Sequence, residues 1–318
     1  MEQIGIESLS FYTPHYVLDQ KARAQEKGID ADKFYVGIGQ ERMAIPPPDE
    51  DVVTMAANAS EQALQRVDRD AVDTVMFATE TGIDQSKAAA IYVHQLVGLP
   101  QHCRAFEVKQ ACCSSTAAVQ MAQAYVALKP DRKVLVVASD VARYDLGSPG
   151  EATQGAGAVA MVISNKPNIF SIDPEHGAYT EDVMDFWRPN YRDEACVDGK
   201  YSIKVYLSAL TESWREYARE SGRSFGDFAR FCYHLPFTRM AEKAHKHLAR
   251  LNQVELDDVT MARQISDGLI YSRRTGNAYT ASLYVGLASL LDLDPDNLGG
   301  QRVGMFSYGS GCMATFFS

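Results

Sequence analysis

The chain has 318 residues, 46% of them hydrophobic and 23% charged, with a formal net charge of -10. That composition is one of a soluble globular protein with one large or two fused domains, and its negative balance excludes non-specific binding to nucleic acid or anionic membranes, leaving only local basic patches for phosphates. With no basic-then-apolar leader and no unbroken apolar run of membrane-spanning length, a cytoplasmic protein is expected, whose six cysteines (Cys103, Cys112, Cys113, Cys196, Cys232 and Cys312) are reduced thiols.

In chain order, a helical pattern over 51–66 precedes a strand, "VDTVMFATE" (72–80), and a second helix over 87–97 precedes "RAFEVKQ" (104–110). An apolar helix over 114–128 leads to two strands, "KVLVVASD" (133–140) and "GAVAMVIS" (157–164). The second half carries a helix over 205–220, the strand "FARFCYH" (228–234), helices over 237–250 and 279–292, and the strand "RVGMFSYG" (302–309). This alternation predicts a layered α/β protein with no low-complexity linker. No Cys-x-x-Cys pair or helical His ladder is present, since His245 and His247 point in different directions on one helix, so no metal site is expected.

The order of elements suggests a duplication, with halves at 1–165 and 166–318. In the first half a strand ends in Glu80 and a later apolar helix opens at Cys112; in the second a strand ends in His234 and a later apolar helix opens at Asn277. Packing about a pseudo-twofold axis would bring these four polar groups into one site. Each also has a plain structural reading: Cys112 and Cys113 as small core residues, His234 as a satisfied histidine before Pro236, Glu80 as an exposed loop acid. Their convergence favours chemistry. A thiol at a helix mouth is expected to have a lowered pKa through the free N–H groups and the dipole, and adjacent cysteines rarely pair with each other. Glu80, at the end of an apolar strand, suits a general base with a raised pKa. A histidine within reach can activate a thiol or polarise a carbonyl.

Seven segments, "KQACCSSTAAVQMA", "ATETGIDQSKAAA", "ARYDLGSPGEATQGAGAVAMVI", "AYTEDVMDFWRP", "CYHLPFTRMAEKA", "GNAYTASLY" and "FSYGSG", resemble the motifs of 3-hydroxy-3-methylglutaryl-CoA (HMG-CoA) synthase, in that family's order and over nearly the whole chain. The resemblance implies the thiolase fold, a duplicated five-layered αβαβα sandwich, as a homodimer. It implies that Cys112 takes an acetyl group from acetyl-CoA, that Glu80 is the general acid/base at the acetyl methyl, and that His234 positions acetoacetyl-CoA and polarises its ketone. Cys113 is then a small packing residue. Asn277 and Ser310 match positions that touch substrate carbonyls, Ser310 through its backbone N–H in an oxyanion hole. Asp140, Tyr144, Asp185 and Tyr279 match positions that order the pocket, and Asp84 matches an acid near Glu80. Arg239, Lys243 and Lys246 would meet coenzyme A phosphates. No cofactor is implied beyond the CoA thioesters that are substrates. The glycines of "TQGAGAVAMVI" are read as letting a core strand pass close to the site, not as a phosphate loop, because no helix follows.

Two departures qualify the match. The family runs on past "GSG" with a final strand and a C-terminal region, whereas this chain stops at Ser318, which implies a missing sheet edge. Gln110, "KAHK" (243–246) and Cys312 lean towards a polyketide branch that works on acyl groups bound to an acyl carrier protein, while "GIGQERMA", "ARYDL" and "TEDVMDFWRP" lean towards the CoA-dependent mevalonate branch, which is favoured. A decarboxylating ketosynthase of the type that starts fatty-acid synthesis would carry an Asn shortly after the His and no strand-end Glu, unlike this chain.

Overall fold

The computed structural model describes residues 3–294 and 298–318. β1 (Gly5–Tyr12) precedes a hairpin, β2 (Tyr16–Asp19) and β3 (Arg42–Ile45), whose connection holds α1 (Gln20–Glu26) and α2 (Asp32–Tyr35). Then follow α3 (Val52–Ala63), β4 (Val72–Ala78), α4 (Ala89–Leu96), β5 (Arg104–Val108), α5 (Ser114–Leu128), β6 (Lys133–Val141), β7 (Ala156–Ser164) and β8 (Phe170–Ser171). The second half comprises β9 (His176–Thr180), the small pair β10 (Phe186–Trp187) and β11 (Cys196–Val197), α6 (Gly199–Ser221), β12 (Arg230–Tyr233), α7 (Arg239–Leu251), α8 (Asp258–Ile265), α9 (Ile270–Thr275), α10 (Ser282–Leu293), β13 (Val303–Gly309) and β14 (Met313–Phe317).

The period of two in the strands sorts side chains to opposite faces. In β4 and β6, Val75, Phe77, Leu135 and Val137 pack outward against α3 and α4. Met76, Ala78, Val134, Val136 and Ala138 point inward onto α5. In β13, Val303 and Met305 join that same inner core, whereas Phe306 and Tyr308 face α6 and α7. α5 and α10 therefore lie between two sheets, which explains why every α10 residue from Ser282 to Leu290 is buried; α5 buries Ala118, Val119, Ala122 and Val126 there but exposes Met121 and Leu128. The layers run α3/α4, first sheet, α5/α10, second sheet, α6/α7, a five-layered αβαβα thiolase-like sandwich.

The duplication is visible in the pairing. The first sheet has the order β5-β4-β6-β7-β1-β8 and the second β12-β13-β14-β9. β4 and β6 are parallel while β6/β7 and β7/β1 are antiparallel; β12 and β13 are parallel while β13/β14 and β14/β9 are antiparallel. The second sheet thus repeats the β4-β6-β7-β1 segment of the first. The expected gap after "GSG" is not there: residues 313–317 form β14, an interior strand between β13 and β9.

Most predicted boundaries hold within a few residues. α3 starts after Asp51, whose side chain accepts from the Val53 and Thr54 N–H groups in a capping box. α6 begins earlier than expected, capped by Asp198, and ends at Gly222 in the left-handed region (φ 68°). The expected helix over 279–292 opens with a 3-10 turn at Tyr279–Ala281 before α10. The predicted strand over 104–110 stops at Val108.

Candidate active site

The nucleophile turn is shaped by three backbone features. Ala111 has φ 44°, a left-handed conformation that costs a residue with a Cβ about 1 kcal/mol or more, and it turns the chain from β5 into α5. Cys113 occupies the N-cap, so Cys112 stands one residue before the cap of α5. The end of β13 comes in from the other half: a Cβ on Gly309 would lie 2.4 Å from the Gln110 carbonyl oxygen and 2.7 Å from the Cys113 nitrogen, an approach only glycine permits. Ser310 and Gly311 are thereby set beside the cysteine turn, and Gln110 Nε2 donates to the Ser310 carbonyl at 3.4 Å.

Cys112, buried at 8% exposure, donates its thiol proton to Glu80 Oε1 at 3.0 Å. The partly buried Glu80 is pushed from its usual 4.5 up to about 8, by desolvation first and by the nearby Asp140 second, while the thiol bond and the charge of Arg188 act in the opposite direction. The expectation of a lowered thiol pKa is reversed. Burial, then Glu80 and Asp140, push the Cys112 thiol well above its usual value, so it is an S–H donor. Two acidic neighbours and desolvation outweigh the helix mouth. Cys113 is fully buried and receives the Ser307 hydroxyl at 3.3 Å.

Asp140, buried at the end of β6, accepts six hydrogen bonds: from the Thr79 hydroxyl, the Glu80 and Thr81 N–H groups, the Thr81 hydroxyl, and the N–H and hydroxyl of Thr280. It fixes the strand end that carries Glu80 and joins it to the turn between Asn277 and α10. That turn is brought in by a second close approach, in which a Cβ on Gly276 would lie 2.0 Å from the Gln154 carbonyl oxygen and one on Gly155 2.3 Å from the Thr275 oxygen. The glycines of the "QGAG" run therefore do let a core strand pass close to the site. Asn277 is buried, with Oδ1 accepting from the Tyr279 N–H at 2.9 Å and the Ser282 hydroxyl at 2.8 Å.

His234 follows β12 and is 2% exposed. Its N–H donates to the Phe306 carbonyl at 2.8 Å and its own carbonyl accepts from the Tyr206 hydroxyl at 2.9 Å. It thus adjoins the strand whose Ser307 touches Cys113. Its Nδ1 is buried and has no hydrogen-bond partner among the described residues; desolvation lowers its pKa to about 3, so the imidazole is neutral. No hydrogen bond joins His234 to Cys112 or Glu80 among the described residues.

Tyr144, Phe186 and Tyr279 stand edge to face, with centroids 5.8–6.4 Å apart, and close an apolar wall around Cys112 and Ala142. Asp185 is buried and accepts from the Tyr308 hydroxyl, the Ser202 hydroxyl and the Gly311 N–H at 2.6, 3.0 and 2.9 Å, which anchors the segment bearing Phe186 to the Ser310–Gly311 turn. A cavity of about 810 Å³ opens beside these groups, with Glu80, Asp84, Gln110, Ala111, Phe186, Arg188 and Ser310 among its walls. Asp84 is in its rim but is engaged by the Ser86 and Lys87 N–H groups, both at 2.7 Å, and makes no hydrogen bond to Glu80. Arg239, Lys243 and Lys246 lie elsewhere. They line a separate cavity of about 320 Å³ with His247 and Arg250; Arg239 Nε donates to the Val36 carbonyl, and Lys243 stands over the Phe237 ring. Thr79, Thr81, Thr280 and Phe186 are not among the expected site residues, although all four lie inside or beside the quoted motifs. No cluster of three or more His, Cys, Asp or Glu suited to a metal ion occurs among the described residues.

A duplicated sandwich with a cysteine at one helix mouth, and polar groups from both halves around it, defines a thiolase-fold enzyme. Residues 1–168 match the model of the hydroxymethylglutaryl-coenzyme A synthase N-terminal domain, and residues 171–259 and 251–318 that of the C-terminal domain. The chain belongs to the HMG-CoA synthase family. It is 44% identical over 316 residues to the hydroxymethylglutaryl-CoA synthase of Enterococcus faecalis, covering 99% of this chain and 82% of that one. It is 34% identical to the polyketide biosynthesis 3-hydroxy-3-methylglutaryl-ACP synthase PksG of Bacillus subtilis (strain 168), covering 100% and 80%. An HMG-CoA synthase crystallised with CoA superposes with a TM-score of 0.94 at 41% identity, covering 99% of this chain and 81% of that one. The HMG synthase of the curacin pathway in complex with acetyl donor-ACP gives 0.94 at 34% identity, covering 99% and 79%.

Proposed function

We propose that this protein condenses acetyl-CoA with acetoacetyl-CoA and water to form HMG-CoA, through an acetyl group carried on Cys112, at the entry to isoprenoid precursor synthesis. The observation that carries the reading is the 3.0 Å contact between Cys112 Sγ and Glu80 Oε1 beside a large cavity: nucleophile and base adjoin where a thioester can enter. Glu80 accepts the Cys112 proton as the sulfur attacks the acetyl thioester and passes it to the departing sulfur, so CoA leaves as its thiol and Glu80 is again a carboxylate. The Ser310 N–H, which has no acceptor among the described residues, stabilises the oxyanion. Glu80 then takes a proton from the acetyl methyl, the carbanion attacks the ketone of acetoacetyl-CoA, and Glu80 returns the proton to the alkoxide that forms. Neutral His234 and Asn277 hold that carbonyl. Hydrolysis of the thioester frees the product and returns the thiol.

On this reading the protein is an acyltransferase without a separate cofactor, acts in the cytoplasm as a homodimer, and divides into halves near residue 165. Tyr144, Tyr279, Asp140 and Asp185 order the pocket, Asp84 shapes its rim, and Arg239, Lys243 and Lys246 meet CoA phosphates. A second reading, with acyl groups presented on a carrier protein, is favoured by Gln110 and by the likeness to PksG and the curacin synthase. The test compares acetoacetyl-CoA with acetoacetyl-carrier protein as second substrate, reading product mass. Efficient turnover of the CoA thioester is expected. A preference of about a hundredfold for the carrier-bound substrate, about 2.7 kcal/mol in transition-state binding, would move the protein to the carrier-dependent branch.

A further inference from the structure

Hydrolysis in the proposed reaction creates a charge that the substrates lack. Water adds to the carbonyl of the thioester on Cys112, the C–S bond breaks, the sulfur leaves as the thiol, and the acyl end is released as a carboxylate with one proton given up. That carboxylate forms beside Glu80, where Asp140 is also close, so an unbalanced new anion would be repelled there.

The cavity wall supplies one cation suited to it. Arg188 lines the cavity that Glu80 lines and is partly buried. It has no hydrogen-bond or ion-pair partner among the described residues, whereas Arg192 on the same wall is paired with Asp145 at 3.0 Å. Lys109 and Arg143 also line the cavity but are exposed. Arg188 is held in place from both sides: β10 (Phe186–Trp187) pairs with β11 just before it, Pro189 follows it, and Asp185 is bonded to the Gly311 N–H at the cysteine turn. Its charge is felt at the Glu80 carboxyl. An unpaired, partly desolvated guanidinium is the side chain best suited to grip a carboxylate at two points.

We propose that Arg188 is the product-carboxylate site, receiving the carboxylate that hydrolysis frees at Cys112. This rests on the acetyl-Cys112 reading. The assignment predicts a difference between two ligands that share everything but that group: HMG-CoA, and 3-hydroxy-3-methylbutyryl-CoA, in which a methyl replaces the carboxymethyl arm. Binding of each to the 318-residue chain is measured by calorimetry for wild type, Arg188→Ala and the bulk-preserving Arg188→Gln, with folding checked by circular dichroism. Both substitutions are expected to weaken HMG-CoA about tenfold, as loss of a charge-assisted pair does, and to leave 3-hydroxy-3-methylbutyryl-CoA within about twofold. Equal weakening of both ligands, or no change in either, overturns the assignment while the wild type still acetylates Cys112. A wild-type protein that binds neither thioester and forms no acetyl-Cys112 overturns the underlying reading and the assignment with it.

Discussion

Replacing Glu80 separates the two halves of the proposed reaction. Glu80 is the group poised at the thiol, yet its charge raises the Cys112 pKa, so Glu80→Ala removes a base and an obstacle together. Acetylation by acetyl-CoA is therefore expected to persist, while condensation loses its proton acceptor. Loss of a positioned general base costs about 10²- to 10⁴-fold, or about 2.7 to 5.4 kcal/mol. The raised pKa sharpens this estimate. With a value of about 8, only about a tenth of the carboxyls are ionised at pH 7 and about nine-tenths at pH 9. The wild-type condensation rate should thus rise about tenfold between those pH values, and the same substitution should cost about tenfold more at pH 9 than at pH 7. Acetylation deepens the effect, because it removes the S–H donor that favours the charged carboxyl. The assay loads the enzyme with labelled acetyl groups, removes excess acetyl-CoA, adds acetoacetyl-CoA, and follows single-turnover condensation across the pH range. Failure of Glu80→Ala to acetylate with its fold intact, or a wild-type rate flat from pH 7 to 9, would show that Glu80 is not the base of the condensation step.

Cys112→Ala should abolish the acetyl adduct seen by peptide mass spectrometry, whereas Cys113→Ala should keep it and lose about 1 kcal/mol of stability in urea unfolding, the expected cost of removing one buried sulfur from a packed site. His234 is neutral in the fold because burial depresses its pKa to about 3, and it regains an ordinary value near 6.5 on unfolding. The unfolded chain therefore binds the extra proton, and the stability linked to this group, present above pH 6.5, is lost as the pH falls towards 3. Unfolding midpoints of wild type and His234→Gln at pH 7.5 and pH 5 should differ in slope, the variant losing less on acidification.

The sheet strands were legible because helix layers cover both faces of each sheet, so the strands read as continuous apolar runs; α10 was legible because a helix apolar all round must be internal. β1 and β9 escaped because Ser8, Ser10, His176 and Thr180 break the apolar pattern on partly solvated strands. β14 stands where a missing sheet edge is expected, and "MATFF" is itself a strand-forming run. The pairing of Glu80 with Cys112 followed from the duplicated order of elements. The direction of the thiol pKa did not, since it depends on how tightly Asp140 and Glu80 approach in three dimensions. The separation of Arg239, Lys243 and Lys246 from the main cavity was equally hidden, because helix spacing fixes a face of α7 but not what that face looks upon.

The shared central layer also limits how the molecule can breathe. α5 comes from one half and α10 from the other, and their side chains merge with the inner faces of both sheets into one dry core. Swinging the halves apart would hydrate that core, so the clam-shell route to an open enzyme is closed. Access is then expected to be governed by surface segments, namely the Asp145–Gly150 stretch that follows Tyr144 and the Phe186–Asp193 lip. The amide protons of α5 and α10 should then exchange only with global unfolding, while those two segments exchange far sooner.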